Sequence, residues 1–292
     1  MANNSHIPPN RLSEGSLNGG GKHLEESPNL GEADQKPQPS EISLLAATGL
    51  CKSFGGVRAV DNVEIMVPQG SITGLIGPNG AGKTTLFNLL SNFIHPDKGR
   101  VIFDGEPIHS LQPYQIAQMG MVRTFQVARV LSRLSVMENM LLAAQKQTGE
   151  NFWKVCFQPH LVAKEERQQR ERATILLESV GLAAKAQDYA GALSGGQRKL
   201  LEMARALMTQ PKLILLDEPA AGVNPTLIRQ ICDYITQWNQ EGMTFLIIEH
   251  NMDVIMSLCD KVWVVAEGRN LAVGTPIEIQ RNPQVLEAYL GQ

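Results

Sequence analysis

The chain has 292 residues, of which 43% are hydrophobic and 19% are charged, a composition typical of soluble globular proteins. A net charge of −3 excludes an overall basic field that would hold nucleic acid or an anionic membrane. No apolar stretch has the length of a membrane span and the N-terminus lacks a signal pattern, so we expect a cytosolic protein that contacts a membrane only through a partner.

The first 44 residues differ in composition from the rest of the chain. They are rich in Asn, Ser, Gly and Pro, and the first aromatic residue is Phe54. Such a segment cannot bury enough apolar surface to offset the entropy that it would lose on ordering. We therefore predict a disordered polar tail over residues 1–44, followed by a domain over residues 45–292.

The second part of the chain alternates between strand-like and helical patterns. Strands are predicted at 63–67, 71–76, 101–104, 121–125, 213–217, 244–249 and 262–266. Helices are predicted at 83–92, 136–145, 197–209, 226–240 and 252–258. Because several strands are apolar without alternation, we predict an α/β fold whose sheet is covered on both faces. The four cysteines are widely spaced, which predicts reduced thiols; they are Cys51, Cys156, Cys232 and Cys259.

Residues 77–84 have the spacing of a phosphate-binding loop between a predicted strand and a predicted helix. The glycines let backbone N–H groups surround phosphate oxygens, and the helix N-terminus adds positive potential. Lys83 is expected to reach the β- and γ-phosphates of ATP, and Thr84 to hold Mg²⁺ through its hydroxyl. The predicted nucleotide-binding residues here are Gly77, Pro78, Asn79, Gly80, Ala81, Gly82, Lys83, Thr84 and Thr85.

Residues 127–192 interrupt the alternation with mostly helical sequence. The mixed-sign run at 164–172 favours a solvated helix face, because Glu166 and Arg170 are separated by one helical turn. The three aromatic residues before this run favour packing inside the segment, with a docking surface as the alternative; they are Phe152, Trp153 and Phe157.

Two further motifs follow this segment. Ser194, Gly195, Gly196 and Gln197 precede a helical pattern, where they could present N–H and hydroxyl donors to an anion or form an ordinary N-cap. The apolar run 213–216 ends in Asp217 and Glu218. An acid at that strand end in phosphate-loop ATPases holds Mg²⁺ through water, a role that fits Asp217. Glu218 could polarise the water that attacks the γ-phosphate.

In this order, the three motifs resemble the nucleotide-binding subunit of ATP-binding-cassette (ABC) transporters, over residues 45–292. The resemblance implies a phosphate-loop NTPase (RecA-like) core with an inserted helical subdomain at about 127–192. It implies that Phe54 stacks on adenine, that Gln126 senses Mg²⁺ and water, and that His250 contacts the γ-phosphate. Glu218, His250 and Gln126 are thus the expected catalytic residues, and Thr84, Gln126 and Asp217 the expected residues at Mg²⁺. It also implies that the 194–197 segment completes the ATP site of a second subunit.

Four stretches carry a narrower resemblance, at residues 123–126, 217–225, 248–252 and 287–291. In the second of these stretches, Asn224 replaces the usual aspartate. These stretches are similar to the ATP-binding subunits of branched-chain and neutral amino-acid importers, the LivG type. Importers of that group contain two different, paralogous ATPase subunits, two transmembrane permeases and a periplasmic substrate-binding protein. The location implied is the cytoplasmic side of the inner membrane, and the long polar tail departs from typical members.

Other functions stay open from the sequence. The cargo could be urea or a lipid, although the 217–225 loop and the Glu249–His250 pair favour amino acids. A soluble ABC ATPase acting on DNA or ribosomes usually carries two cassettes or a coiled-coil insertion, and this chain has neither. A non-hydrolysing regulatory subunit is disfavoured by the intact motif residues, which are Lys83, Asp217, Glu218, Ser194 and His250.

Overall fold

Two β-sheets and the helices that cover them make up the residues described by the computed structural model, which are 43–124, 130–144 and 159–290. The strands in chain order are β1 (Ser43–Phe54), β2 (Val57–Pro68), β3 (Ile72–Ile76), β4 (Lys98–Phe103), β5 (Glu106–Pro107), β6 (Met121–Arg123), β7 (Leu213–Asp217), β8 (Thr244–Ile248), β9 (Lys261–Ala266) and β10 (Arg269–Gly274). The α-helices are α1 (Lys83–Leu90), α2 (Pro113–Met119), α3 (Val136–Leu141), α4 (Pro159–Ser179), α5 (Gly195–Met208), α6 (Pro225–Gln240), α7 (Met252–Leu258), α8 (Pro276–Gln280) and α9 (Pro283–Leu290).

The larger sheet has the strand order β10-β9-β3-β8-β7-β6, and all its pairs are parallel except β9 with β10. Every residue of β3, β7 and β8 is buried, as expected for strands covered on both faces. Because β8 lies between β3 and β7, the segments that follow these three strands emerge side by side at one edge of the sheet. In open α/β sheets this edge is where ligands bind.

Side chains on the two faces of this sheet enter two different apolar clusters. Ile76, Leu216 and Ile247 belong to the cluster that includes helices α3 to α7. Leu75 and Leu215 point the other way, into a cluster with α1 and with the smaller antiparallel sheet, whose order is β2-β1-β4-β5. The central strands therefore form the middle layer of the molecule, and their period-two alternation supplies both cores.

The sequence predicted the apolar central strands and the amphipathic helices, with end shifts of a few residues. It did not predict β1, β5, β10, α2, α8 or α9. Strand β1 includes Ser43 and Leu44, which belong to the segment predicted as the tail. The rest of that predicted tail lies outside the described residues. The sequence of β1 contains alanines and Gly49, and its apolar and polar residues do not alternate regularly. The pattern of a strand was therefore not recognisable.

The helical part of the middle segment packs on helix α5. Apolar residues of α3, α4 and α5 share one cluster, among them Met140, Leu177 and Leu201. On the solvent side of α4, Glu166 pairs with Arg170 at 3.9 Å. The aromatic residues Phe152, Trp153 and Phe157 lie outside the described residues, as does Cys156. No described helix combines the length and the apolar character that crossing a bilayer requires.

A fully buried asparagine fixes the turn that leads into α3. The Asn139 amide donates to the carbonyls of Leu131 at 3.0 Å and Ser135 at 2.9 Å, and its oxygen accepts from the N–H of Leu131 at 2.9 Å. These bonds tie the 131–135 turn to the first turn of α3 and satisfy the polar atoms of a fully buried side chain, in addition to the backbone bonds that the carbonyls of Leu131 and Ser135 accept from Leu134 and Asn139.

Replacement of Asn139 with Ala is therefore expected to lower the free energy of unfolding by about 2–3 kcal/mol, because the three hydrogen bonds between its buried side chain and the turn are lost. Urea unfolding followed by circular dichroism measures this change. Gln187→Ala, at an exposed position, serves as the control and is expected to shift stability by less than about 0.5 kcal/mol. Equal stability of both variants would show that the turn does not depend on Asn139.

Candidate active site

The phosphate-binding loop lies between β3 and α1, and its conformation needs glycine at two positions. A Cβ on Gly77 would lie 2.0 Å from the carbonyl oxygen of Val265. A Cβ on Gly82 would lie 2.3 Å from the carbonyl oxygen of Ala59, and Gly82 has a φ of +94°. Side chains at either position would force the backbone apart. Asn79 and Gly80, at the tip of the loop, are exposed.

Lys83 is the first residue of α1 and is buried against the loop. Its ammonium donates to the carbonyl oxygens of Gly77 at 2.7 Å and Pro78 at 2.8 Å. Burial lowers the pKa of Lys83, and the negative charge of Glu218 opposes that shift. The next two residues of α1 are Thr84, which is exposed, and Thr85, which is half-buried. The Lys83 side chain is therefore folded back over the loop, and two of its three N–H donors bind carbonyl oxygens of that loop.

Asp217, the last residue of β7, is held by Arg123 of the neighbouring strand β6. The guanidinium donates to an Asp217 carboxylate oxygen at 3.0 Å, and both side chains are about one-tenth exposed. The same guanidinium donates to Asn88 of α1 at 2.6 Å and lies over the ring of Phe87 at 4.9 Å. Arg123 thus ties the acid at the end of β7 to the helix that follows the phosphate loop. Sequence reasoning quoted Arg123 only as part of a motif and gave it no role.

Glu218 and His250 meet at the same edge of the sheet. The Nε2 atom of His250 lies 3.0 Å from a carboxylate oxygen of Glu218. Glu218 has a φ of +48°, a left-handed conformation that non-glycine residues rarely adopt. Its N–H donates to the carbonyl oxygen of Ile248 at 2.9 Å, which continues the pairing between β7 and β8. In this conformation the Glu218 side chain meets His250, two residues beyond the end of β8.

Glu249 is a third acid at this edge, and sequence analysis assigned no separate role to it. Its side chain is buried and accepts from the backbone N–H groups of Ala220 at 2.7 Å, His250 at 3.1 Å and Asn251 at 3.3 Å. One carboxylate therefore fixes the loop after β7 and the loop after β8 relative to each other. An acid directly after an apolar strand, the same signal that indicated Asp217, was available in the sequence.

Lys199, on α5, is a buried cation that sequence analysis also missed. Burial lowers the pKa of Lys199, and the carboxylates of Glu202, Asp217, Glu249 and Glu218 oppose this shift, in that order. Helix α5 therefore places a positive charge behind the acids that end β7 and β8. Buried acids need such partners, since an uncompensated charge in the interior is costly.

The segment 194–197 begins helix α5 and is largely exposed. The Ser194 hydroxyl accepts from the N–H of Gln197 at 3.2 Å, and the N–H of Ser194 donates to the Gln197 side chain at 3.0 Å. This arrangement is a capping box, so the N-cap interpretation of the sequence describes its local structure. Within the part of the chain that the structure describes, no hydrogen bond joins the segment to the phosphate loop, Asp217, Glu218 or His250.

The sequence analysis singled out three further residues, which are Phe54, Asn224 and Gln126. Phe54 ends β1 with 49% of its side chain exposed, and the Lys52 ammonium lies 5.7 Å from its ring centre, so it is not a core residue. Asn224 caps α6 by accepting from the N–H of Leu227 at 2.9 Å. Asparagine and aspartate cap helices about equally well, so the replacement keeps this local role. Gln126 lies outside the described residues.

Together these groups form an anion-binding loop with a cation, faced by carboxylates from two adjacent strands. Thr84 follows the loop at the start of α1 and Asp217 ends β7; their hydroxyl and carboxylate oxygens are hard ligands of the kind that suits Mg²⁺ when phosphate oxygens complete the coordination. Among residues 43–124, 130–144 and 159–290, no cluster of three or more His, Cys, Asp or Glu side chains could hold a metal ion by itself. The chemistry that this arrangement fits is transfer of a phosphoryl group from a nucleotide.

Comparison with known proteins agrees with this chemistry. Residues 60–221 match the family model described as ABC transporter, and residues 269–292 match the model for branched-chain amino acid ATP-binding cassette transporters. The chain is 41% identical over 250 residues to the high-affinity branched-chain amino acid transport ATP-binding protein BraF of Pseudomonas aeruginosa. It is 40% identical over 250 residues to LivG of Escherichia coli. Each alignment covers 85% of this chain and 98% of the relative.

Solved structures show the same likeness. A nucleotide-free ATP-binding cassette from an ABC transporter matches with a TM-score of 0.74 and 38% identity, over 86% of this chain and all of that one. The ADP conformation of another such cassette matches with a TM-score of 0.73 and 36% identity, over the same shares of the two chains.

The Arg123–Asp217 pair gives a prediction about stability. Arg123→Met removes the charge that compensates Asp217 and is expected to cost about 3 kcal/mol of unfolding free energy, measured by urea unfolding. Arg170→Met removes an arginine from an exposed pair on α4 and is expected to cost less than about 1 kcal/mol. A cost for Arg123→Met no larger than that of the control would mean that the pair does not hold Asp217.

Proposed function

Because this chain belongs to the ABC transporter family and is an ATPase of that family, we propose that it energises membrane uptake of branched-chain or other neutral amino acids. The observation that carries the proposal is the convergence of Lys83, Asp217, Glu218 and His250 at the ends of three adjacent parallel strands. The relatives are branched-chain amino acid transport ATP-binding proteins by name, and the C-terminal residues match the family model specific to that group.

ATP binding, in this proposal, begins with an exchange of partners at Lys83. The ammonium leaves the carbonyl oxygens of Gly77 and Pro78 and donates to the β- and γ-phosphates, while backbone N–H groups of the loop beyond Pro78 donate to the phosphate oxygens. Phosphate charge compensates the buried ammonium better than neutral carbonyls do, because the interaction is between full charges. The exposed ring of Phe54 offers a flat apolar face to adenine.

The residues proposed to hold Mg²⁺ are Thr84, through its hydroxyl, Asp217, through water, and Gln126. Bound Mg²⁺ supplies positive charge that neutralises the phosphate oxygens during transfer. Arg123 donates to the Oδ2 atom of Asp217, and the water-mediated contact with Mg²⁺ is assigned to the other oxygen, Oδ1. The guanidinium therefore orients the acid and does not replace the cation.

Hydrolysis is assigned to Glu218 as the residue that orients and deprotonates the attacking water. His250 holds the Glu218 carboxylate from the next loop at 3.0 Å and can contact the γ-phosphate through the same imidazole. Glu249 keeps both loops in register beneath this pair. The proton of the water moves to Glu218, and the bond between the β-bridging oxygen and the γ-phosphorus breaks as the new oxygen–phosphorus bond forms.

The exposed 194–197 segment is proposed to act on the ATP of a second ATPase subunit, a paralogue of this chain. Its hydroxyl and helix N-terminus can donate to a phosphate, and it makes no hydrogen bond to the phosphate loop of its own chain within the described residues. ATP then adds binding energy only to the closed pair of subunits, and loss of the γ-phosphate contacts lets the pair open.

The proposed assembly is completed by two transmembrane permeases and a periplasmic substrate-binding protein, with this subunit on the cytoplasmic side of the inner membrane. The names of the relatives support a place in a branched-chain amino acid transport system. Contact with the membrane is assigned to the permeases, because none of the described helices could cross it.

Replacing Glu218 with Gln is expected to preserve ATP binding and to lower kcat by about 10²–10⁴-fold, because the amide cannot take the proton of the water. Phosphate release and size-exclusion chromatography with ATP measure turnover and the trapped closed pair. Lys83→Ala is expected to bind no ATP and to form no pair, while Glu178→Gln, at an exposed position, keeps normal turnover. Normal hydrolysis by the Glu218 variant would remove this residue from the catalytic role.

A strain lacking this chain tests the transported molecule. Uptake of labelled leucine, isoleucine and valine is expected to fall to the background level, and the wild-type chain, but not the Lys83→Ala variant, is expected to restore it. Labelled urea and export of lipid to the outer surface are the comparison measurements. Loss of urea or lipid transport with normal amino-acid uptake would contradict the proposed cargo.

A further inference from the structure

Phe54, the residue proposed to stack on adenine, lies at the tip of the β1–β2 hairpin. Gly55 and Gly56 form the turn, with φ values of +51° and +88°. Phe54 pairs with Val57 across this turn. Positive φ at both central residues is typical of a tight two-residue turn that follows the twist of its strands. The tip is therefore a short, closed unit, and the contacts of its two strands determine where the Phe54 backbone lies.

A second hairpin, β9–β10, contacts the phosphate loop. Its turn consists of Glu267 and Gly268, which also have positive φ, at +49° and +75°. The N–H of Gly268 donates to the carbonyl oxygen of Ala81 in the loop at 3.1 Å. A Cβ on Gly268 would lie 2.8 Å from the carbonyl oxygen of Ala59, and a Cβ on Gly82 would lie 2.3 Å from the same atom. Strand β2, the β9–β10 turn and the end of the loop therefore meet around one carbonyl group.

Asp61, on β2, joins the two hairpins. Its backbone N–H donates to the carbonyl oxygen of Gly268 at 2.7 Å. Its Oδ2 atom accepts from the Nε and Nη2 atoms of Arg269 at 2.9 and 2.6 Å, and its Oδ1 atom accepts from Arg58 at 2.9 Å. The Asp61 side chain is 14% exposed, whereas those of Arg269 and Arg58 are 71% and 62% exposed. The hydrogen bonds from Arg269 lower the pKa of Asp61, so the carboxylate is ionised at physiological pH.

Asn270 adds a second link between the hairpins, one residue further along β10. Its amide nitrogen donates to the carbonyl oxygen of Glu64 at 2.8 Å, and its amide oxygen accepts from the N–H of Glu64 at 2.7 Å. Strand β2 is an edge strand of the smaller sheet and β10 is an edge strand of the larger one. The side chain thus supplies the bonds that a neighbouring strand would make, and β2 is attached to β10 at both Asp61 and Glu64.

The other strand of the tip is held by Asp97, which precedes β4. Its carboxylate accepts from the N–H of Ser53 at 2.8 Å and from the Lys52 ammonium at 2.8 Å. The N–H of Asp97 donates to the carbonyl oxygen of Cys51 at 2.8 Å. Of these two anchors, Asp61 leads directly to the hairpin that binds the phosphate loop.

We propose that Asp61 is a positioning residue that sets the span between Phe54 and the phosphate loop, and thereby the fit of a nucleotide that contacts the first with its base and the second with its triphosphate. A ligand that contacts two sites at once binds best when their separation is already fixed at the matching distance. Loosening of the span therefore weakens ATP binding, while the reaction at the γ-phosphate, remote from the base, keeps its rate. This inference rests on the proposed roles of Phe54 and the loop in ATP binding and is independent of the transported molecule.

Two variants of the full chain break the same contact from its two sides, Asp61→Asn and Arg269→Gln. The control is Asp104→Asn, which removes an exposed acid from an ion pair with Lys212. We expect both variants to raise the Kd and KM for ATP about three- to tenfold, with kcat within about twofold of wild type and the control unchanged. One variant removes a negative charge and the other a positive charge. A change in electric field alone would therefore shift the two Kd values in opposite directions, whereas loss of the contact raises both.

Two further measurements identify the end of the nucleotide that is affected. Magnesium tripolyphosphate has no base, so its Kd is expected to change by less than about twofold in both variants. Phe54→Ala is expected to raise the Kd for ATP about 5- to 100-fold, as loss of a stacking contact with a base does. In that background there is no ring to position, so adding Asp61→Asn is expected to change the Kd by less than about twofold.

The outcomes separate this inference from the proposed function. Unchanged Kd values for ATP in Asp61→Asn and Arg269→Gln, or shifts of opposite sign, overturn it. An equal loss for tripolyphosphate, or a full additional loss in the Phe54→Ala background, also overturns it, because the loop itself would then be affected. If Phe54→Ala binds ATP normally, the proposed role of Phe54 fails and this inference fails with it. A clear Phe54→Ala defect beside an unaffected Asp61→Asn rejects only the role of Asp61.

Discussion

The parallel order β3-β8-β7 is the constraint on which the rest of the structure depends. Parallel strands end at the same edge, so three segments far apart in sequence emerge within one crevice: the phosphate loop after β3, Asp217 and Glu218 after β7, and His250 after β8. The strands are held in this order by burial on both faces, since their alternate side chains enter two separate cores. A register error would move these side chains to the wrong face and misplace the site at the same time.

A network of buried charges maintains the crevice. Arg123 and Lys199 face the carboxylates that end β7 and β8, and Glu249 pairs with backbone N–H groups of both following loops. Such groups stabilise a fold only when all of them have partners, and here the partners come from separate elements. The network therefore fixes the relative positions of α1, α5, β7 and β8, which are the elements that carry the proposed catalytic groups.

Several of the proposed site residues have partners within the chain itself. Lys83 is occupied by carbonyls of its own loop, Ser194 and Gln197 satisfy each other in a capping box, and Glu218 adopts a left-handed conformation that its neighbours enforce. Each of these arrangements supplies a local partner that a phosphate or a second subunit can replace. When a side chain exchanges one hydrogen-bond partner for another, little backbone has to move. Such an exchange can therefore switch the site between two states.

The sequence by itself determined the local features: the glycine-rich loop between a strand and a helix, the acids at the end of an apolar strand, and the amphipathic helices. These follow from residue types at fixed spacing, which is why they are readable without a structure. Only the tertiary structure decided that Arg123 meets Asp217 and that Glu249 meets Ala220, because these partners are distant in sequence and a charge carries no periodic signal of what it will meet. It also decided that β1 begins at Ser43, since that strand is specified by pairing with β2 and β4 and not by its own pattern.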